Sequence, residues 1–279
     1  MSMKLGISTW VYLNYTIDEA LRRLAKTGFH ILELWADQAQ LDPRIFPEHA
    51  LSKVHELGRS LKLVFRSLHA PFTNLDIASL DEAKKEMSIQ WVSKAFTYAS
   101  KLGCPYVVLH PGSGESMTVT GSESEVKGRL LDTLQRVGKA AEGSGVKVLL
   151  ENMTQRGNRR YCSSIRELVE LVQALGGDVF SICFDPGHTL ISGYDVYEEL
   201  REAKGFLFSL HVNDNDRVKD LHLVPSPLKG LIHWNRFLRV LRNIEYNGPF
   251  MLEVYGGENP DEVVADARAL IDKFPSLQL

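Results

Sequence analysis

Strand-like apolar runs alternate with helix-like stretches eight times along the 279 residues of the chain, and this alternation constrains the fold more than any other feature. Most of the runs are nearly continuous Val, Ile, Leu and Phe, which is typical of strands buried on both faces of a parallel sheet. Strand followed by helix, repeated with short connections, implies right-handed crossovers between parallel strands. The predicted strands span residues 5–9, 29–35, 62–69, 105–110, 146–151, 179–185, 206–212 and 249–254.

Eight such units favour closure of the sheet into a barrel. An open doubly wound sheet would more naturally carry a glycine fingerprint after its first strand, and the segment GISTWVYLN (6–14) has none. No linker, low-complexity tract or change in composition divides the chain. The sequence therefore predicts an α/β fold, namely one (β/α)8 (TIM) barrel domain over residues 1–279.

Local signals indicate where several helices begin and end. Thr16 to Glu19 and Ser79 to Glu82 have the pattern of capping boxes, in which a hydroxyl accepts from the third amide of the helix and the glutamate bonds back. Pro260 is expected in the first turn of the last helix. The glycines expected directly after helices are Gly28, Gly58, Gly103 and Gly176.

Composition and charge argue against several classes of protein. No apolar run approaches the roughly 20 residues of a membrane span, and the first residues enter a strand without the apolar stretch of a signal peptide. We therefore expect a cytoplasmic protein with no membrane partner. The 3 cysteines form no CxxC motif, which argues against a disulfide framework and a thiolate zinc site. A net charge of −3 provides no bulk basic field for nucleic acid.

Histidines and carboxylates collect where the apolar runs stop. Four of the 9 histidines, at positions 30, 49, 55 and 233, begin a strand or lie on helices, and the other five lie at strand ends or in the loops beyond them. Because the C-terminal ends of barrel strands surround one pocket, these five side chains are expected to converge. Three carboxylates share their positions, at Glu151, Asp185 and Glu253. The spacing therefore predicts a metal site.

Glu151 and Glu253 sharpen this prediction, because each ends an apolar run where a lone ionised carboxylate would be costly to desolvate. A buried salt bridge is the alternative explanation, but the neighbouring strand ends offer histidines and carboxylates. A divalent cation is the simpler partner, and carboxylate with imidazole ligands suits Zn, Mn, Co or Mg. Asp185 and His188, separated by a Pro-Gly turn, are placed to share this pocket.

Seven short motifs also carry a family resemblance that covers nearly the whole chain. They are HAPF (69–72), LHPG (109–112), LLEN (149–152), CFDPGH (183–188), HVNDND (211–216), KDLHL (219–223) and LEVYG (252–256). Together they resemble the xylose-isomerase-like TIM barrel superfamily, which includes sugar isomerases and epimerases and the endonuclease IV group (AP endonuclease family 2).

The two branches of this superfamily imply different metal sites. In the isomerase and epimerase branch, one ion is held by four groups, while His188 and Arg217 match positions that contact substrate. The four matching residues are Glu151, Asp185, His211 and Glu253. In the endonuclease branch, three zinc ions use nine ligands. The nine matching residues are His69, His110, Glu151, Asp185, His188, His211, Asp220, His222 and Glu253.

Departures from the endonuclease pattern favour the sugar branch. The endonucleases usually open with His-x-Ser and paired glycines on the first strand, where this chain has GISTWVY (6–12). The segment DLHLVPSPLKGLIHW (220–234) contains a P-x-x-G-x-I-x-W pattern common among the sugar enzymes. No loop is obviously basic enough to grip a DNA backbone.

We therefore predict a divalent-metal-dependent isomerase or epimerase of a small sugar or sugar phosphate, in which Glu151 and Glu253 transfer the proton through a metal-stabilised enediolate. The alternative is an endonuclease IV-like zinc-dependent phosphodiesterase acting at abasic sites, and nucleic acid is a partner only in that case. A dehydratase or a non-catalytic binding barrel stays open. So do a homo-oligomer and a metal content of one to three ions.

Further residues are expected around the substrate. Glu33, near the end of the second predicted strand, is expected to bond either the substrate or a ligand histidine. Trp10, Tyr12 and Phe72 are expected on loops over the pocket, where their rings would pack against a sugar or against the loops themselves. Asn152 is expected to orient Glu151.

Overall fold

The computed structural model describes residues 3–226 and 230–279, and its parallel strands surround a common axis with helices packed outside. The barrel strands are β1 (Met3–Ser8), β2 (Ile31–Trp35), β3 (Val64–His69), β4 (Tyr106–Leu109), β5 (Lys147–Glu151), β6 (Phe180–Phe184), β7 (Leu207–Leu210) and β8 (Phe250–Leu252). A short β9 (Leu277–Gln278) pairs with the start of β1 outside this ring. Residues 227–229 of the predicted P-x-x-G-x-I-x-W pattern lie outside the described residues.

The sheet closes on itself. From β1 to β7 each strand pairs with the next one, and β8 returns to pair in parallel with β1. The remaining gap lies between β7 and β8, and it is bridged just beyond β7, where Val212 pairs in parallel with Leu252. The Val212 N–H donates to the Met251 carbonyl over 2.7 Å. Closure confirms the predicted TIM barrel.

Helices connect the strands on the outside of the barrel. They are α1 (Ile17–Thr27), α2 (Leu51–Ser60), α3 (Glu82–Leu102), α4 (Glu123–Ser144), α5 (Ile165–Ala174), α6 (Pro186–Ile191), α7 (Val196–Glu202), α8 (Trp234–Asn243), α9 (Pro260–Arg268) and α10 (Leu270–Lys273). Pro260 opens α9, as predicted. Within the described part of the chain, no helix is both long and apolar enough to cross a membrane.

The two predicted capping boxes have different outcomes. Thr16 precedes α1 and its hydroxyl accepts from the Glu19 N–H over 3.4 Å, as expected. The Glu19 carboxylate accepts from Arg23 instead of bonding back, so only half of the predicted box is formed. The prediction at Ser79 was wrong, because Asp81 caps α3 and accepts from the Lys84 N–H over 3.2 Å. The Ser79 hydroxyl instead accepts from the N–H of Asp81 itself.

The glycines expected at helix ends also divide into two groups. Gly28 and Gly103 follow α1 and α3 with φ angles of 90° and 76°, which glycine adopts without strain. Gly176 follows the α5 cap with a φ of 95°. Gly58 lies inside α2, so the prediction of a helix end there was wrong. A Cβ at Gly58 would lie 2.3 Å from the Phe65 ring, so close packing of α2 on β3 explains this glycine.

The barrel interior is filled in layers. Val108, Leu149 and Cys183 form a fully buried cluster between the strands. Each of them lies two residues before a predicted ligand, and side chains two apart on a strand share one face. The predicted ligands therefore form the layer above this cluster, at the C-terminal mouth of the barrel.

Candidate metal centre

Six predicted ligands occupy equivalent places at the strand ends. His69 and Glu151 are the last residues of β3 and β5, and the other four directly follow β4, β6, β7 and β8. Those four are His110, Asp185, His211 and Glu253. His188 lies in α6, and Asp220 and His222 lie in the loop after β7.

Four of these side chains converge on one point. Each of them offers a ligand atom that lies within 4.8 Å of those of the other three. All four are buried: they are Glu151, Asp185, His211 and Glu253. The Nδ1 atom of His211 lies 3.2 Å from Glu151 and 3.3 Å from Glu253. We call this set the ligand quartet.

The ligand quartet fits a divalent cation. Both carboxylate oxygens of Glu151 and the Nδ1 atom of His211 are shielded from solvent, and none of them has a hydrogen-bond partner among the described residues. Buried polar atoms left in this state cost free energy unless something compensates them. Oxygen and imidazole donors facing one point are the ligand types of Zn, Mn, Co and Mg sites.

Two further groups flank the ligand quartet. His69 and His110 lie 3.5 and 3.2 Å from Glu151, and their ring nitrogens share a possible metal position with it. On the other side, His188 and His222 form a group with Asp185. Asp220 lies 3.2 Å from His188 and 3.3 Å from His222. Eight of the nine predicted ligands therefore belong to groups of described residues that could hold an ion, and these groups share members. The ninth, Asp220, adjoins them through its contacts with His188 and His222.

Backbone carbonyls orient most of the imidazoles. The Nδ1 atoms of His69 and His188 lie 2.8 Å from the carbonyls of Ala70 and Asn152, and the Nδ1 atom of His222 lies 3.0 Å from the Glu253 carbonyl. An imidazole that donates through Nδ1 presents the Nε2 lone pair to the centre.

His211 is turned the opposite way. Its Nε2 atom lies 2.9 Å from Glu33, and its Nδ1 atom faces the ligand quartet. Glu33 is fully buried and also accepts from the Ser67 hydroxyl over 2.7 Å. The position of Glu33 fits the expectation that it orients a ligand histidine, and not that it reaches substrate.

The two glutamates of the ligand quartet differ electrostatically. Burial raises the pKa of Glu253 to about 7, with His211 opposing and the Glu151 charge adding to the shift. Burial alone would also raise the pKa of Glu151. The charge of His211 and the contacts of His110 and His69 outweigh burial and hold that pKa well below its usual range.

The pKa values of two histidines near the ligand quartet are also shifted in opposite directions. Burial alone would lower the pKa of His222, but Asp220 and the Glu253 charge raise it to about 9. Burial lowers the pKa of His110, despite its contact with Glu151. In the absence of a cation, protons on some of the histidines therefore balance part of the carboxylate charge.

Aromatic rings form one wall of the site. Phe72 lies 4.5 Å from the His110 ring and Trp10 lies 4.8 Å from the His222 ring, and both contact Trp35. Their positions agree with the expected loops over the pocket. Tyr12 does not, because it is buried and donates to Asp261 over 2.6 Å.

Arg217 is placed away from the buried ligands. It lies in an exposed turn with a φ of 68°, and it forms no ion pair with another described residue. Its role in contacting substrate stays a prediction.

Asn152 does not orient Glu151 as expected. Its side chain instead brackets Asp185, because Oδ1 accepts from the Asp185 N–H over 2.7 Å and Nδ2 donates to the Asp185 carbonyl over 2.9 Å. Its backbone carbonyl faces His188. Asn152 therefore holds the start of α6, where Asp185 is the N-cap residue and His188 lies in the helix.

Sequence reasoning missed two further amide side chains that support the site. Asn213 donates to the Asp185 carboxylate over 2.7 Å and accepts from Asn215 over 2.9 Å. Asn215 in turn accepts from the backbone N–H groups of Leu221 and His222 over 2.5 and 3.2 Å. This amide link ties Asp185 to the loop that carries His222. The alternation of polar residues in HVNDND was the available signal, since residues two apart in an extended segment share a face.

Fold and site together define a class, namely a (β/α)8 barrel with a candidate carboxylate–imidazole metal centre at its C-terminal mouth. The chain belongs to the xylose isomerase-like TIM barrel family, whose model matches residues 21–274. The resemblance inferred from the motifs is thereby confirmed.

Relatives come from both branches of the resemblance. The chain is 27% identical to L-ribulose-5-phosphate 3-epimerase UlaE of Salmonella paratyphi A, over 88% of this chain and 86% of that protein. It is 26% identical to a probable endonuclease 4 of Mesomycoplasma hyopneumoniae strain J, over 73% of this chain and 72% of that protein. A solved D-tagatose 3-epimerase-like protein has a TM-score of 0.83 at 22% identity, covering 99% of this chain and 97% of that one. This last likeness bears on the fold alone.

Proposed function

We propose that the protein is a divalent-metal-dependent isomerase or epimerase that moves a proton next to the carbonyl of a small sugar or sugar phosphate. The observation that carries this proposal is the convergence of the ligand quartet within 4.8 Å. Glu151 and Glu253 enter it from β5 and β8, which are not neighbours in the barrel. Two carboxylates that approach from different sides suit a reaction in which one removes a proton and the other returns it.

The ligand quartet would hold the ion. A divalent ion bound there would polarise the substrate carbonyl and its adjacent hydroxyl, and so favour an enediolate. Glu151, whose pKa is lowered, is ionised at neutral pH and suits the role of base. Once an ion is bound, Glu253 would also be ionised, because carboxylates bind metals in the deprotonated form. The proton that Glu253 returns would then be one taken up during the reaction.

Neighbouring groups would bind and enclose the substrate. Phe72 and Trp10 present apolar faces beside the ligand histidines and would exclude water from one side of a sugar. His188 lies 3.4 Å from Glu151, next to the ligand quartet, and would bind a substrate hydroxyl there. The epimerase name of the UlaE relative supports a sugar phosphate, and the solved epimerase-like structure shares the fold.

The test is wash-in of solvent deuterium. Metal-loaded protein is incubated in D2O with a panel of ketopentoses, ketohexoses and their phosphates, and exchange at carbon is followed by proton NMR. Glu151→Gln and Glu253→Gln should each lower exchange by roughly 10²–10⁴-fold. Glu199→Gln, which removes a partly buried carboxylate on α7, is the matched control and should exchange normally. Near-normal exchange by Glu151→Gln would remove the proposed base.

One observation favours a second candidate, a zinc-dependent phosphodiesterase acting at abasic sites in DNA. The described residues form two further groups of possible ligands, one around His110 and one around His222, and Asp220 contacts both histidines of the second group. Clustered ions would generate a hydroxide nucleophile and neutralise the phosphate. The endonuclease 4 relative supports this alternative.

Two measurements separate the candidates. Protein purified without chelator should hold near one metal equivalent for an epimerase-type site and near three for a nuclease-type site. Cleavage of an abasic duplex that disappears in His222→Ala, and binding that weakens steeply with salt, would promote the nuclease. Sugar exchange without cleavage would exclude it.

A further inference from the structure

The N-terminal mouth of the barrel, opposite the candidate metal centre, contains a cavity of about 450 Å³. Arg66 of β3, Tyr106 at the start of β4 and Phe208 of β7 line it, and the loop before β8 supplies Tyr246. A second cavity of about 910 Å³ shares Arg66 and Tyr246 with the first. Volumes of this order are typical of small-molecule sites.

Within the described residues, Arg66 lacks a hydrogen-bond or ion-pair partner at this mouth. It is partly buried and its Nε atom is shielded from solvent, yet its guanidinium makes no hydrogen bond or ion pair with any residue in 3–226 or 230–279. Lys147, a strand-borne cation near the same end, differs because its ammonium donates to the Gly177 carbonyl over 3.2 Å. A desolvated donor without an acceptor costs free energy. The two terminal nitrogens of Arg66 are not shielded in this way, so they can meet an acceptor that enters the cavity.

The aromatic contact of Arg66 leaves its donors available. Its Cζ atom lies 4.5 Å from the centroid of the Tyr106 ring, and Phe208 packs edge-on against the same ring. A ring over one face of a guanidinium stabilises the cation but accepts none of its N–H groups. The planar fork of donors is thus held in position and can bind two oxygens of one anion.

The charge around the two cavities favours an anion with more than one negative charge. Lys4, Lys204 and Arg242 line them together with Arg66. Among the described lining residues, Glu245 supplies the single carboxylate. The described lining of the two cavities is therefore net positive, although the whole chain carries −3.

We propose that the N-terminal mouth binds a phosphoryl group, either as inorganic phosphate or on a small phosphorylated metabolite, with Arg66 as its anchor. Tyr106 holds the guanidinium plane, and Lys204 supplies the second positive charge. The buried Val108–Leu149–Cys183 layer lies between this mouth and the ligand residues of the metal centre. The proposal therefore does not depend on the proposed function.

The test is equilibrium titration of the metal-loaded protein with inorganic phosphate, glycerol 3-phosphate and glycerol, followed by calorimetry and by phosphorus NMR. The wild type should bind one equivalent of phosphate and should not bind glycerol. Arg66→Gln should weaken phosphate binding by about tenfold or more, and Arg66→Lys should weaken it less, because lysine keeps the charge and loses the fork. Arg156→Gln, an exposed arginine after β5 at the other mouth, should bind normally.

Several results would overturn the proposal. One is the absence of saturable phosphate binding by the wild type up to about 10 mM. Another is equal affinity in Arg66→Gln, and a third is binding that disappears when chelator removes the metal, which would place the phosphate at the other end. Lys204→Gln offers an independent variant should Arg66→Gln fold poorly, and it should also weaken binding. Tighter binding of glycerol 3-phosphate than of phosphate would support a metabolite, and equal or weaker binding would support the free ion.

Discussion

Replacing Gly187 by alanine tests whether the amide link between Asp185 and the His222 loop organises the metal centre. A Cβ at Gly187 would lie 1.9 Å from Oδ1 of Asn213 and 2.3 Å from Nδ2 of Asn215. Gly187 is the second residue of α6 and its φ is not in the left-handed region, so lack of space is the obstacle and backbone strain is not. Both asparagines are buried, which leaves them no room to turn away freely.

The expected cost follows from the bonds that must break. Moving Asn213 aside removes its 2.7 Å bond to Asp185 and its 2.9 Å bond to Asn215. Each buried polar group left unsatisfied costs about 1–3 kcal/mol, so two lost bonds give about 2–6 kcal/mol. The helix preference of alanine over glycine returns up to about 1 kcal/mol. Gly187→Ala should therefore lower the free energy of unfolding by about 1–6 kcal/mol.

The measurement is urea unfolding followed by far-UV circular dichroism, with metal affinity measured in parallel by competition with a coloured chelator. Gly128→Ala is the matched control, because that glycine lies in α4 and an added Cβ would meet nothing within 4 Å. It should stabilise the protein by about 0.5–1 kcal/mol. The combined variant Gly187→Ala with Asn215→Ala should cost less than the sum of the two single changes, because both disrupt the same bonds.

The reasoning fails if Gly187→Ala is as stable as Gly128→Ala and binds metal with unchanged affinity. Such a result would mean that the amides relax around a methyl group without releasing Asp185. The reasoning is also wrong if the stability losses of Gly187→Ala and Asn215→Ala simply add in the combined variant. Additive losses would mean that the methyl group acts somewhere other than on the amide link.

Two further predictions concern the ligands themselves. Metal binding to the ligand quartet near pH 7 should release protons. Glu253, with a pKa raised to about 7, and His211, whose pKa the neighbouring negative charges raise against burial, must both give up protons to act as ligands. Apparent affinity should therefore rise with pH through neutrality, and calorimetry in two buffers of different ionisation enthalpy would refute this by showing no proton release. Glu33→Gln should weaken metal binding by about 10–100-fold while the fold is retained. The reason is that Glu33 lies 2.9 Å from Nε2 of His211 and fixes which ring nitrogen faces the centre. Unchanged affinity in the chelator competition would show that the His211 ring is held by packing alone.

The strand ends could be predicted because one local pattern determines them. Where an apolar run meets a polar residue, a buried parallel strand has reached the barrel mouth, and this rule placed His69 and Glu151 on the last residues of β3 and β5. The rule needs no knowledge of the partner strand, since every barrel strand points the same way. The ligand quartet follows from that single geometric fact.

The amide link could not be predicted in the same way, because it joins side chains far apart in the sequence through bonds with no local signature. Asn213 follows a strand as a ligand would, yet it bonds Asp185, 28 positions earlier in the chain. Asn152 illustrates the same limit, because its neighbour in the sequence is Glu151 while its bonds go to Asp185. The wrong prediction at Ser79 has a local cause. Ser79 and Asp81 are both able to cap α3, and Asp81 is the one placed to accept from the third amide of the helix.

Protons and metal ions compete for the same nine side chains, and this competition explains why ligand identity alone does not choose between an epimerase and a nuclease. Burial lowers the pKa of His110, so the group of ligands around it can accept an ion near neutral pH without displacing a proton from the His110 ring. Around His222, the nearby carboxylates hold a proton up to about pH 9, so an ion entering that group must displace it. The number of ions held at a given pH therefore depends on local charge as much as on which ligands are present. At acidic pH, a measured number of metal ions per chain would miss any ion that the group around His222 binds only after losing its proton. Repeating the measurement as the pH rises would separate a site that can hold three ions from one that holds a single ion at every pH.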